Sequence, residues 1–530
     1  MYVILEKGVM TLEFSEKLDL LMNVTGATNS ALAHSVALDA SHISRLRRGQ
    51  RRALKDKASI ASISAFFAKR CNESYRKKAV FDAMGLTRDI RDTDELSELI
   101  AGWLLESKSG GAKTVDSFLT GLTKMPTPGP RPLSAKENRK AIGEPLPELA
   151  SYYGVEGKRV AVIKFLSAVL AAKEPSTLLL FSDEPTDWMT DSREFAEKWA
   201  KLMSAVLSRG NRIVIIHTIS RDLDEMLHAI SQWMPLYMSG SIEPYFYPKK
   251  RDGIFKRTLF IAPDIAAVVS GSVGNSNEAA ANLLFTDKTA VAAYELEYMQ
   301  YLAMCKPLMR IFTARDKNTC FDTLLEFENE KSDAMIKTES LSVLTMPEDV
   351  LADIIGRAKM DASLLNAHRR IRSGLLENLL SSSRFTEIVR LPDIGRVMEC
   401  EVSVSLSVMF IGGGICYTPD EYLRHLKHLA HLLETCENFC VRFIEYSTDD
   451  RYMVYAKEDL GVIVAKTSAP TIVLAMREGN LSAAFWDFLR DLSGNKEYSP
   501  AERASAMRKL VGYIRRLEAK IAEEHQSTGM

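Results

Sequence analysis

The 530-residue chain lacks any apolar run near the ~18 residues that a bilayer-spanning helix needs. Its opening stretch, MYVILEKGVM, is too short and wrongly flanked for a secretory signal, so a cytoplasmic protein is expected. Cysteines are few: seven, an odd number at scattered spacings, which points to free thiols and excludes a disulfide framework. Neither sign of charge is in excess, since 68 Lys and Arg face 69 Asp and Glu for a net charge of −1. The whole-chain balance therefore selects no polyanionic partner, and charge has to be read locally. The chain also lacks G-x-x-x-x-G-K-[ST] and G-x-G-x-x-G, so no nucleotide cofactor, and no other cofactor, is expected.

What is present is an ordinary globular composition, 46% apolar and 26% charged, over a length that predicts about three to four domains. The fold expected is multidomain: an all-α head followed by an α/β body that reads as two divergent α/β repeats. Residues 1–13 read as a leader, with Met10 a candidate native start. Apolar residues at three- and four-residue intervals predict helices over 14–70, with a helical extension at 71–122. Residues 123–147 hold six prolines among polar residues and read as a linker. Strands then alternate with helices over 148–345, a helical connector follows at 346–395, and a second α/β unit with a C-terminal helix fills 396–530. That last helix, AERASAMRKLVGYIRRLEAKIAEEH, is amphipathic and could pack on its own domain or on a second copy.

The most specific pattern is Thr28 to Arg52, TNSALAHSVALDASHISRLRRGQRR. A helix from Asn29 to about Ala37 would turn inward Leu32, Ala33 and Val36. Asp39 suits an N-cap, and a helix Ala40–Arg48 would end at Gly49. Ile43 and Leu46 would pack inward, leaving Ala40, Ser41, Ser44 and Arg45 outside. Twelve Lys or Arg fall between Arg45 and Lys78, against Asp56 and Glu73 alone. The segment resembles the phage-repressor (Cro-like, XRE) helix-turn-helix family through Leu32-Ala33, Val36, Ile43-Ser44-Arg45-Leu46 and Gly49, over about residues 14–70. The family usually has glycine where Ala37 stands. The resemblance implies a double-stranded DNA partner, binding as a homodimer, and base contacts from Ala40, Ser41 and Arg45 with Ser44 beside them. It places Asn29 at a phosphate. Arg47, Arg48, Arg51 and Arg52 would lie along the backbone and add affinity without sequence information.

In the body, LLLFSDEPT at Leu178–Thr186 resembles the Walker B strand of ATP-binding-cassette ATPases. Its partners are missing: the nearest P-loop candidate, SKSGGAKT, has Ser107 and Ala112 where glycines are obligatory. The stretch instead reads as a buried strand and the turn after it. FKRTLFIAPDIAAVVSGSV resembles the phospholipase-D-like fold, in a form without H-x-K-x4-D: Phe255, Arg257 and Ala262 occupy those places. The resemblance implies a non-catalytic cleft for a small-molecule effector, with Arg221, Arg251 and Arg257 as candidates, and Asp183 and Glu184 join them because open sheets bind ligands at the C-terminal strand edge. His428, His431, Cys436 and Cys440 fit no common zinc spacing, and no metal site is expected. The reading is a non-enzymatic, ligand-responsive transcriptional regulator. The competing class is a phosphodiesterase or NTPase fused to a DNA-targeting head.

Overall fold

The structure is a computed structural model. It describes residues 14–36, 38–47, 57–71, 74–84, 92–105, 111–124, 146–184, 187–218, 223–248, 254–274, 279–313, 316–405, 414–444, 451–494 and 498–528. The chain is a multidomain α/β protein with two mixed sheets. It opens with helices α1 (Phe14–Thr25), α2 (Asn29–Ser35), α3 (Ala40–Arg47), α4 (Lys57–Arg70), α5 (Ser74–Met84), α6 (Thr93–Leu105) and α7 (Gly111–Lys124). The apolar periodicity does what it predicts. Leu18, Leu21, Leu32, Ile43, Leu46, Ile63 and Phe67 share one core with Ile100 and Trp103 of α6. Buried Lys17 donates to the Trp103 carbonyl at 2.6 Å, tying α1 to α6.

The first sheet uses β1 (Leu149–Tyr153), β2 (Thr177–Ser182), β3 (Arg212–His217), β4 (Ile242–Phe246), β5 (Phe255–Ala262), β6 (Ala266–Val273), β7 (Ala281–Phe285) and β8 (Lys306–Pro307). The second uses β9 (Met309–Thr313), β10 (Ala334–Lys337), β11 (Phe385–Val389), β12 (Phe439–Phe443), β13 (Tyr452–Lys457), β14 (Gly461–Lys466) and β15 (Ile472–Met476). The spatial orders are β4-β3-β2-β5-β6-β7-β1 and β12-β11-β10-β13-β14-β15-β9, and β8 flanks β4 in the first alone. In both, the first three strands are parallel and every later pairing is antiparallel. One topology is therefore built twice. The central hairpins match residue for residue: Ala262 pairs Ala266 and Lys457 pairs Gly461. Asp264 and Asp459 take the same left-handed turn position, with φ 61 and 58. Phe260 of the first repeat thus corresponds to Tyr455 of the second.

Two sequence expectations change here, and one open alternative is decided. The second repeat begins at β9, not at 396, and the supposed helical connector contributes β11 to its sheet. Helix α7, read as the end of the helical extension, packs on the body, against the helices Leu223–Tyr237 and Gly479–Leu492, with Phe118 edge-on to Phe485. The C-terminal helix Pro500–Thr528 lies on Pro419–Thr435 and buries Leu510, Tyr513, Ile514 and Leu517 there. Its apolar stripe is spent within the chain rather than on a second copy. Among the described residues, no helix is long and apolar enough to cross a membrane.

Candidate functional site

Two places gather the residues singled out in the sequence: the outer row of α3 and the strand ends of the first sheet. Helix α2 starts at Thr28, whose hydroxyl accepts from Ala31 N at 3.2 Å. Asp39 holds the N-cap place of α3 through its backbone, its carbonyl accepting from Ile43 N at 3.1 Å. Ile43 and Leu46 are fully buried against α1 and α2. Because they point inward, helical geometry turns Ser41 and Arg45, four residues apart, to the outside, and both are exposed. Ser44 is half-buried beside them. Ala40 is half-buried too and packs against the core, which leaves it only an edge of that surface.

Arg47 has a different place from the one expected. Its guanidinium donates to Asp19 of α1 at 2.6 and 3.0 Å and to Asn29 Oδ1 of α2 at 3.0 Å. A residue read as a phosphate contact is thus a clamp joining three helices, and it engages Asn29 as well. Three guanidinium nitrogens donate at once, two to one oxygen of Asp19 and one to Asn29, which a lysine could not do from a fixed fork. Arg47→Ala should lower the thermal midpoint of the α1–α3 core by a few degrees and weaken DNA binding without altering base preference. A gel-shift comparison of preferred and scrambled duplexes measures both parts of that expectation. Arg48, Arg51 and Arg52 lie outside the described residues.

In the body, β2 ends in Ser182, and Asp183 and Glu184 follow at the C-terminal edge of the parallel strands, where open α/β sheets carry their sites. The structure brings Asp183, Glu184 and Arg257 together but gives each a partner. Asp183 accepts from the Arg257 backbone N–H through a carboxylate oxygen, and its own N–H donates to the Arg257 carbonyl. The Arg257 side chain pairs with Glu297. Glu184 is 5% exposed and turns inward, to the Lys158 ammonium and to Thr258 Oγ1 at 2.6 Å. Lys158 also donates to Thr258 Oγ1 at 2.7 Å, and Ser182 and Ser270 complete the cluster. Burial pushes the Lys158 amine down to about 7, against the pull of Asp183. Glu184 Oε1 has no hydrogen-bond partner among the described residues. Glu184 is therefore interior, not the wall of an open cleft. Arg221 and Arg251 lie outside the described residues.

Sequence reading missed Lys158, Thr258 and Ser270, because they sit in stretches that read as plain helix and hairpin. Their one signal was a lysine on the helix Gly154–Ala171 at a position where apolar residues face the sheet. Two aromatics near these strand ends are used in packing: Trp233 meets Trp199 edge-on at 5.6 Å, and buried Tyr237 bonds His217 Nε2 at 2.6 Å. His428 sits against the Arg372 guanidinium at 2.8 Å. Among the described residues no group of His, Cys, Asp and Glu is placed to hold a metal ion.

No family model matches the chain, and no curated protein matches it. Among solved structures it is similar to TrmBL2, an archaeal chromatin protein whose structure shows a novel mode of DNA binding. That likeness has 12% identity and a TM-score of 0.23, over 56% of this chain and 93% of that one. It is similar to NucT from Helicobacter pylori at 16% identity and a TM-score of 0.21, over 30% of this chain and 98% of that one. A third is polyphosphate kinase from Porphyromonas gingivalis, at 11% identity and a TM-score of 0.22, over 84% of this chain and 65% of that one. At these scores the likenesses assign no function.

Proposed function

We propose that the chain is a sequence-specific DNA-binding transcriptional regulator. In this reading α2 and α3 form a repressor-type helix-turn-helix, and the two-repeat α/β body senses a small-molecule effector and joins two copies into a homodimer. The observation that carries it is the outer row of α3. Ser41 and Arg45 are exposed one turn apart, on a helix whose inner row is buried and whose last turn is clamped by Arg47 to Asp19 and Asn29. A short helix fixed on three sides, presenting small polar residues and one free-standing arginine, is the shape that reads a major groove. Arg45 would take a guanine through O6 and N7, with Ser41 toward the neighbouring base or phosphate.

The body is read as non-enzymatic because its chemistry is spent internally. Arg257 is paired with Glu297, and Ala262, at one of the places where phosphodiester cleavage needs H-x-K-x4-D, is fully buried. The dimer is assigned to the body outside the C-terminal helix, since that helix is occupied.

Selection of bound duplexes from a random pool tests the reading. The full chain should enrich one near-palindromic motif. Arg45→Ala should still bind but lose preference at one base pair of each half-site, a loss of about 1–3 kcal/mol of discrimination. An unchanged motif in the variant would remove Arg45 from the interface. Failure of the wild-type chain to enrich any motif would remove the DNA reading itself.

A further inference from the structure

The first sheet has two outer strands, β1 and β8. An outer strand presents unpaired backbone N–H and C=O groups, and proteins blunt such edges with shortness, charge, proline or a cover. β8 is blunted in three of these ways, being the dipeptide Lys306-Pro307. In the second sheet the outer strand β12 is covered. The Tyr498 hydroxyl accepts from Val441 N–H and donates to the Val441 carbonyl, both at 3.4 Å, and Arg503 donates to the Phe439 carbonyl at 2.9 Å. β1 reads LASYY, five residues without charge or proline. Among the described residues its one strand neighbour is β7.

Register fixes which groups of β1 face outward. Thr286 N–H donates to the Glu148 carbonyl and Gly154 N–H to the Ala280 carbonyl, both at 2.9 Å, so the even residues bond toward β7. The N–H and C=O groups of Leu149, Ser151 and Tyr153 therefore point away from the sheet. The same three residues carry exposed side chains, Leu149 at 52% and Tyr153 at 69%. Two such strands fit each other antiparallel about a two-fold axis at Ser151. Ser151 then faces Ser151 of a second copy, and Leu149 faces Tyr153. Each of these pairs exchanges two backbone hydrogen bonds, and each Leu–Tyr pair packs on one side of the joined sheet.

The layer above repeats that symmetry. The helix Gly154–Ala171 turns back over β1. Gly157 lies so close that a Cβ there would stand 2.9 Å from the Tyr152 carbonyl carbon, and the Lys164 ammonium sits over the Tyr152 ring, 5.4 Å from its centre. Glu156, Val160 and Lys164 follow one another at four-residue spacing, so they form one row, and all three are exposed. Gly157 and Lys164 both touch Tyr152, the neighbour of Ser151, and Val160 lies midway between them along the helix. An axis through Ser151 therefore passes the row near Val160. About that axis Glu156 meets Lys164 of the second copy, and Lys164 meets its Glu156. Glu156 is paired to Arg159 in its own chain through one oxygen and keeps a side chain that is 80% exposed.

The geometry points to a homodimer in which the β1 strands of two copies pair antiparallel and join the two first-repeat sheets into one, with Glu156 and Lys164 of the facing helices closing the contact above them. A second copy is the occupant because backbone, side-chain order and charge are all self-complementary about a single axis, which is what an isologous interface requires. The inference gives a place to the homodimer of the regulator reading, and it rests on that reading for the expectation that the chain dimerises.

Sedimentation equilibrium of the full chain tests it. The wild-type chain should have the mass of two chains. In Ser151→Pro the mass should fall to that of one, because proline has no N–H to give across the axis. At an outward-facing edge position it leaves the bonds to β7 intact. Glu156→Lys and Lys164→Glu should each weaken association roughly tenfold or more, since like charges then meet twice. The double variant should recover it, with the charges paired in exchanged order. Deuterium uptake by β1 in the wild-type chain should rise on dilution as the outward amides of Leu149, Ser151 and Tyr153 are freed, which decides the matter even if Ser151→Pro fails to fold. A dimer that persists in folded Ser151→Pro, β1 uptake that ignores dilution, or single charge variants that the double variant does not rescue would overturn the proposal and leave the homodimer reading standing. A monomeric wild-type chain would overturn both, leaving the edge to a strand of another protein, while motif selection decides DNA binding separately.

Discussion

Glu184→Ala should cost the first repeat about 3–5 kcal/mol of stability, the usual consequence of removing one member of a buried ion pair. Lys158 and Glu184 side chains are 5% and 1% exposed. Without the carboxylate, the ammonium keeps Thr258 Oγ1, the face of Trp188, 5.2 Å from its ring centre, and the weaker pull of Asp183. Water cannot reach it, so the amine carries its charge at a desolvation cost or gives up its proton, and either way the pairing is lost. Lys158→Met should be costly for the mirror reason, leaving a carboxylate on two hydroxyls. Lys158→Met with Glu184→Leu should recover most of the loss, because both charges leave together. Hydrogen exchange of the β2 and β5 amides measures the local stability in all four proteins. Single variants within 1 kcal/mol of the parent would show that the pair is solvated. The result also bears on function: Glu184 was read from sequence as an effector contact, and a residue with this energetic role is interior scaffold.

Stability should fall steeply on acidification, from about pH 6.5 to about pH 4. Burial pushes His217 and His428 down to about 4, and His368 and His425 shift the same way. An unfolded imidazole takes up its proton below about 6.5, while these stay neutral until far lower pH. The unfolded state therefore binds more protons in that window, so stability is present above it and lost as pH falls. For His217 the full loss is about 3 kcal/mol, and for the partly exposed His428 solvent screening leaves less. Buried carboxyls oppose them: burial pushes both Glu328 and Glu387 up. Glu387, which accepts from Ser342 N–H and Thr345 O–H at 2.8 Å, is pushed up to about 7 by burial. It stays protonated in the folded state, so its contribution is present at low pH and lost as pH rises from about 4.5 to about 7. Glu387→Gln should thus steepen the acid transition and add stability above pH 7. Urea midpoints from pH 4 to pH 8 check both signs. A flat profile, or a shallower one in Glu387→Gln, would contradict them.

Much of the backbone was legible in sequence. α1–α3 fall within one or two residues of their expected bounds at most termini, because short amphipathic helices are set by local periodicity and caps. The hairpin of β5 and β6 shows the same kind of local signal, two apolar runs, KRTLFIAP and AAVVSGS, around a short polar turn. Strands β10 and β11, AMIK and FTEIV, were not. They are short and wholly buried, and a run of that kind has no alternation to mark it. Strands β13 and β14 were legible as the runs RYMVYA and GVIVAKT, but the burial of their lysines was not. Lys337, Lys457 and Lys466 are each 1–2% exposed, and Lys457 is stabilised by carbonyls of Phe327 and Glu330, more than 120 residues away in sequence.

The sequence by itself determined the alternation of elements, the repeated order of helix and strands in the body, and the inner and outer rows of α3. All of these follow from contacts within about one turn or one strand. Only the tertiary structure decided what the polar residues do. It tied Arg47 to Asp19, sank Glu184 onto Lys158 and carried α7 to the body. A side chain's partner is chosen by which distant element packs beside it. Two arginines two residues apart on α3 can therefore have opposite fates while the local pattern of the chain treats them alike.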